Sequence, residues 1–143
     1  MPRSEYKVTT FLNVDLDVLS RSNLQPLVTV LGHRTFALHV GRDKHTYRAH
    51  LELSRDPKNP DAAIRSFVAL IRALPKAERK LWDTAKVRDF NIGVQAAMQP
   101  HCYEIPLARE TIEAVSTLRA RLVLTIYAPS NSSPRRPDRA RRR

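Results

Sequence analysis

Few residues in this chain are spaced for chemistry. Four histidines, His33, His39, His45 and His50, fall within eighteen residues. Imidazoles at cross-strand distance can ligate zinc or nickel, but no cysteine pair and no Glu-x-x-His spacing completes a shell around these four. The expectation is therefore surface histidines on a solvated hairpin, with no metal site. His101 and Cys102 are adjacent, and neighbours on an extended chain point to opposite faces, so they do not form a nucleophile and its base. Asp15, Asp17, Glu52, Asp89 and Glu104 are the carboxylates that fall in strand-like segments. Two of them would serve acid–base work only if brought together with separated pKa values, which their spacing does not require. Asp15 and Asp17 read as solvating the end of a strand. Gly32, Gly41 and Gly93 are too scattered to build a phosphate-cradling loop. These observations predict a protein that is not an enzyme and holds no cofactor.

The stretch at 87–96 positions the polar residues that are hardest to set aside. Phe90, Ile92, Val94 and Ala96 alternate with Asp89, Asn91, Gly93 and Gln95, which in a strand sends the first set to the core and the second to the other face. Amides on a strand face point to a partly covered polar surface, since solvated faces usually carry charges and Asn is a poor strand former. Asp89, Asn91 and Gln95 are candidate binding residues, with Gly93 leaving room for the backbone of a ligand or partner to approach. Hydrogen bonding of the amides within the protein is the competing reading.

Around this stretch the alternation of apolar residues predicts strands at 6–16, 36–40, 47–53 and 103–107, and a strand apolar on both faces at 122–127, the pattern of a central strand. The hairpin reads as 36–40 and 47–53 joined by Gly41 to His45, with Val40 opposite Tyr47. That register sets His39 opposite Arg48 and diagonal to His50, and these three residues are further binding candidates. Ser22 or Asn23 caps a short helix with Pro26 in its first turn and Gly32 at its end. Asn59, Pro60 and Asp61 start a helix through Ile64, Phe67, Val68, Ile71 and Leu74. A shorter helix follows at 76–85 with Leu81 and Trp82 as anchors, and a last one at 109–118 turns Ile112, Val115 and Leu118 inward. The order β-α-β-β-α-β-β-α-β predicts an α+β two-layer sandwich, a mixed sheet with helices mainly on one face, in which a ferredoxin-like βαββαβ unit is one subset.

At 143 residues with a single cysteine the chain fits one α+β domain, 1–128, without an internal disulfide. No segment resembles a signal peptide or a membrane span, so a cytoplasmic protein without membrane contact is expected. The net charge of +11 divides unevenly: residues 129–143 hold six arginines and one aspartate, leaving +6 for the rest. This Arg/Pro/Ser-rich tail lacks apolar anchors, so disorder is expected. Its residues Arg135, Arg136, Arg139, Arg141, Arg142 and Arg143 suit weak, salt-sensitive, sequence-independent binding of RNA or DNA.

The run Phe90-Asn91-Ile92-Gly93-Val94-Gln95 and the closing Leu124-Thr125-Ile126-Tyr127-Ala128-Pro129, with the helix at 64–74 and Leu81-Trp82-Asp83, resemble a family of small uncharacterised bacterial α+β proteins. More distantly the chain resembles proposed immunity proteins of polymorphic toxin systems. The resemblance implies a fold and no catalytic residue. The function expected is that of a binding or accessory domain with a protein partner. The alternatives are nucleic-acid association through the tail and an immunity-type protein that binds a toxin.

Overall fold

The computed structural model describes residues 6–129. The expected disorder of the tail, and its six arginines, lie outside that range. Ten elements follow in chain order: β1 (Thr10–Ser20), α1 (Gln25–Leu31), a 3₁₀ turn (Gly32–Arg34), β2 (Thr35–Asp43), β3 (Thr46–Leu53), α2 (Pro60–Arg72), α3 (Lys76–Asp83), β4 (Val87–Gln95), α4 (Arg109–Thr117) and β5 (Arg121–Tyr127). The helices begin and end where local chemistry favours it. Asn59 Oδ1 accepts from the Ala62 N–H at 2.8 Å ahead of α2, and Asn23 Oδ1 accepts from the Gln25 N–H at 2.9 Å ahead of α1. Gly32 follows α1 at φ 56, in the left-handed region that glycine enters freely.

The sheet runs in the order β2-β3-β1-β4-β5. Antiparallel pairing joins the first four strands, and β5 lies parallel to β4. Strands β1 to β4 with their connecting helices thus have the order and directions of the ferredoxin-like βαββαβ unit, to which α4 and β5 add a further strand. The fold is α+β, as expected.

One face of this sheet builds the core. Val14, Leu16 and Val18 of β1, Ala49 and Leu51 of β3, and Phe90, Ile92 and Val94 of β4 are buried in one cluster with Ile64, Phe67 and Ile71 of α2, Trp82 of α3 and Val115 of α4. Phe90 sits between Phe67 and Trp82, with ring centroids 5.9 and 6.3 Å away. On the same face the Arg88 guanidinium donates to the Trp82 and Ala85 carbonyls at 2.9 and 2.8 Å and to Arg119 O at 3.0 Å. It thereby adds donors to carbonyls where α3 and α4 end, including that of Trp82, which also accepts from the Ala85 N–H at 3.2 Å. Among the described residues no helix is long and apolar enough to cross a membrane.

Several expectations are corrected. The first strand is Thr10–Ser20, not 6–16, so Asp15 and Asp17 lie well inside it. A bulge between Phe11 and Asn13 turns Phe11 to the core side and accounts for its break in the alternation. The strand expected at 103–107 is absent. Pro106 lacks a donor there, and Ile105 and Leu107 pack against the core from an irregular segment. Residues 122–127 form an edge strand, not a central one. The α4 crossover sets β5 beside β4 on the side β1 leaves free, and the strand's apolar character reflects its two sheet faces and not neighbours on both sides. On α4 the inward residues are Thr111, Ala114 and Val115, with Leu118 following, whereas Ile112 is exposed.

Candidate functional site

The other face of the sheet carries none of the helices that build the core, and its side chains come from alternate positions of all five strands. The register aligns them in rows across the strands. In one row Arg121 is paired with Asp89, Asp89 with Asp17, Asp17 with His50, and His50 with His39. In the next, Val123 is paired with Asn91, Asn91 with Asp15, Asp15 with Glu52, and Glu52 with Phe36. A cation, four carboxylates and two imidazoles are thus held on strand backbone in adjacent rows.

Arg121, Asp89, Asp17 and His50 of the first row each approach a neighbouring side chain. Arg121 grips Asp89 with two parallel bonds of 2.7 Å, the geometry that makes Arg–carboxylate pairs directional, and this contact raises the Arg121 pKa. Asp89 and Asp17 are like charges placed opposite one another, an arrangement that destabilises a strand pair unless counter-charges are near. Arg121 serves one of them. On the other side stands the imidazole of His50, whose Nε2 lies 2.9 Å from Asp15 Oδ2, within hydrogen-bond reach, and whose Nδ1 lies 3.9 Å from Asp17 Oδ1. Asn13 Nδ2 bridges the second row, donating to Asp15 Oδ1 at 3.0 Å and to Glu52 Oε1 at 2.7 Å. Partial burial, then the Asp15 charge, push the Glu52 pKa up, against the lowering effects of His50 and the Asn13 bond. A depression of about 250 Å³ opens between Asp17, Arg48, Asp89 and Arg121.

The candidates from the sequence divide into two groups. Asp89, His39, His50 and Arg48 come together on this face. His39 stands opposite His50, however, and not opposite Arg48 as expected, because the hairpin loop is two residues, Lys44 and His45, with Asp43 paired to Thr46. Lys44 takes φ 54 to close it, and Gly41 lies within β2 opposite Arg48. Asn91 and Gln95 are occupied internally. Thr125 Oγ1 donates to Asn91 Oδ1 at 2.8 Å, and Gln95 Nε2 reaches the Ala96, Tyr127 and Ala128 carbonyls at 3.1 to 3.3 Å. Gly93 makes room for β1 and not for a ligand: a Cβ there would stand 3.3 Å from Asn13 Oδ1 and 3.6 Å from Asn13 O. Arg135, Arg136, Arg139, Arg141, Arg142 and Arg143 lie outside the described residues.

The sequence pattern does not single out Asn13, Arg121 or Thr125, and it does not bring Asp15, Asp17 and Glu52 together. Their signal was the alternation Asn13, Asp15, Asp17, which continues through a strand longer than the one read. In chemical terms the Asp15–His50 pair has the form of an oriented imidazole, but among the described residues no hydroxyl or thiol bonds to His50. Nor, among them, do any three His, Cys, Asp or Glu side chains cluster to hold a metal ion. Cys102 is exposed in the segment between β4 and α4. A second groove, of about 480 Å³, lies on the helix side around Asp61, Arg65, Tyr103 and Leu107; it includes Glu104, apart from the other carboxylates weighed above, and none of the binding candidates.

The chain matches no family model, and comparison with curated proteins and with solved structures finds no match.

Proposed function

We propose that this protein is a non-enzymatic binding domain that takes up a macromolecular partner on the uncovered face of its sheet, with the row Arg121, Asp89, Asp17, His50 and His39 at the centre. The observation that supports this reading most directly is the pre-organised acidic array on that face. Asp15, Asp17, Glu52 and Asp89 lie on strands; Asp15, Glu52 and Asp89 are each hydrogen-bonded to a neighbouring side chain, and His50 approaches Asp17 at 3.9 Å. A surface kept merely soluble usually carries long, mobile lysines, and the alternate positions that face this side carry none. Fixing the groups in advance lowers the ordering cost of association. The excess of carboxylates suits a partner that presents basic side chains. A toxin is the form of partner that the resemblance suggests.

The test is capture by the tagged full-length chain from its native host, run beside Asp17→Lys and Arg65→Ala variants. A stoichiometric protein that is retained by wild type and Arg65→Ala and lost with Asp17→Lys supports the reading. Retention by Asp17→Lys, or no stoichiometric protein in several growth states, counts against it.

Nucleic-acid association through the tail is the alternative; carboxylates repel phosphate, so this reading makes no use of the open sheet face. Comparing the full chain with one ending at Ala128 for RNA binding across a salt series decides this: equal affinities remove the tail from consideration.

A further inference from the structure

We infer that β5 is a self-association edge, at which two copies of this chain pair their β5 strands antiparallel about a two-fold axis through Leu124 and continue one sheet into the other. Four observations lead there. First, β5 ends the sheet, so the backbone donors and acceptors on its outer side have no strand partner among the described residues. Second, the edge is apolar where edges are usually guarded. After Arg121 the strand has no charge, no proline and no bulge, whereas the opposite edge, β2, has a bulge between Ala37 and His39 and carries Arg42 and Asp43. Those are the devices that block continued pairing.

Third, the helix layer stops short of this edge. Leu122, Leu124 and Ile126 share the core face with their partners Phe90, Ile92 and Val94. Of these three only Leu122 packs against the core cluster, and it is partly buried, while Leu124 is 55% and Ile126 63% exposed. Ile112 of α4, the helix that contacts β5, is exposed as well. A two-fold axis normal to the sheet sets the two helix layers side by side and brings these residues of both copies together.

Fourth, the strand is complementary to itself in one register. Antiparallel partners must point to the same face, so the axis passes through a residue, and Leu124 is the midpoint of Arg121–Tyr127. Centring there pairs all seven residues: Leu122 with Ile126, Val123 with Thr125, and Arg121 with Tyr127. The only charge of the strand therefore meets an aromatic ring and not itself. Centring on Val123 leaves Ile126 and Tyr127 without partners. The contact is isologous and closes at two copies.

Charge at the axis tests the register. Leu124 is more than half exposed, so Leu124→Lys and Leu124→Glu each leave the fold intact by circular dichroism while setting like charges against each other across the axis. By sedimentation equilibrium the full-length wild type is expected to show a monomer–dimer equilibrium, and each variant alone is expected to lose the dimer. An equimolar mixture of the two variants should regain it as a heterodimer. A second readout, oxidative cross-linking of Leu124→Cys in a Cys102→Ser background, should join two copies at the axis. The proposal is overturned by a wild type that is monomeric at every concentration, by dimers that persist in both variants, by a mixture that stays monomeric, by growth beyond two copies, or by an uncrosslinked Leu124→Cys chain.

Discussion

The indole N–H of Trp82 donates to the carbonyl oxygen of Leu118 at 3.1 Å inside the core. This bond joins the end of α3 to the turn that follows α4, across a ring that is fully buried. Trp82→Phe keeps an aromatic ring against Phe90 but removes the donor, strands a buried carbonyl and leaves space. The expected loss is about 2–3 kcal/mol of unfolding free energy, read by urea denaturation followed by far-UV circular dichroism. A loss below about 0.5 kcal/mol would show that the site collapses and that the bond is dispensable.

Arg88 ties the same two helix ends to β4 through three strong carbonyl contacts. Partial burial, then the Arg119 charge, lower its pKa, yet it starts so high that the guanidinium stays charged near neutral pH. Arg88→Met keeps much of the stem and frees the carbonyls. It is expected to cost about 2 kcal/mol, and Arg88→Lys is expected to recover little, because an ammonium lacks the fork geometry. Equal stability of the Lys variant and wild type would contradict this.

Glu52 gives the face a pH signature. Its folded-state pKa lies above the ordinary value of 4.5, so the native state holds this proton more tightly than the unfolded chain does. The corresponding stability is present below about 4.5 and is lost as pH rises through the folded value. Glu52→Gln keeps an acceptor for Asn13 and removes the charge beside Asp15. The variant should be more stable than wild type at neutral pH, by no more than about 0.5 kcal/mol after solvent screening, and the difference should vanish in acid. Thermal melts of both proteins from pH 3 to 8 check the sign.

Gly93→Ala tests what the glycine is for. The added methyl would press on Asn13 Oδ1, whose amide nitrogen is already committed to Asp15 and Glu52. A destabilisation of about 1 kcal/mol is expected, together with displaced Asn13 side-chain amide signals in NMR spectra. Unchanged stability and unchanged signals would mean that β1 yields freely at its bulge.

Much of the helical part was legible because its signals are local. Asn59, Pro60 and Asp61 begin α2 through short-range bonds, and Ile64, Phe67 and Ile71 bury the face their spacing predicts. The alternation in β4 likewise identified its core side. What sequence left open was decided by partners distant along the chain. The hairpin register depended on Lys44 entering the left-handed region, an unusual place for lysine, while the glycine that looked like the turn stayed in the strand. The edge position of β5 was hidden because a residue pattern reports which faces are apolar and not how many strands stand alongside. The row from Arg121 to His39 needs all four pairings at once, and no single segment contains more than one of its members.

The central position of β1 has a consequence for how the chain is made. It is the first of the five strands to leave the ribosome, yet its partners are β3 and β4, and its pairs run from Ser20 with Tyr47 out to Thr10 with Gln95. Val14, Leu16 and Val18 therefore wait in water through most of synthesis, and the last of their strand partners arrives only when β4 emerges. Contacts so far apart are slow to form, so the newborn chain exposes its stickiest row before it can cover it. A chaperone that recognises extended apolar segments should be found on β1 in nascent chains halted before residue 87 and should be released from those halted well past residue 95.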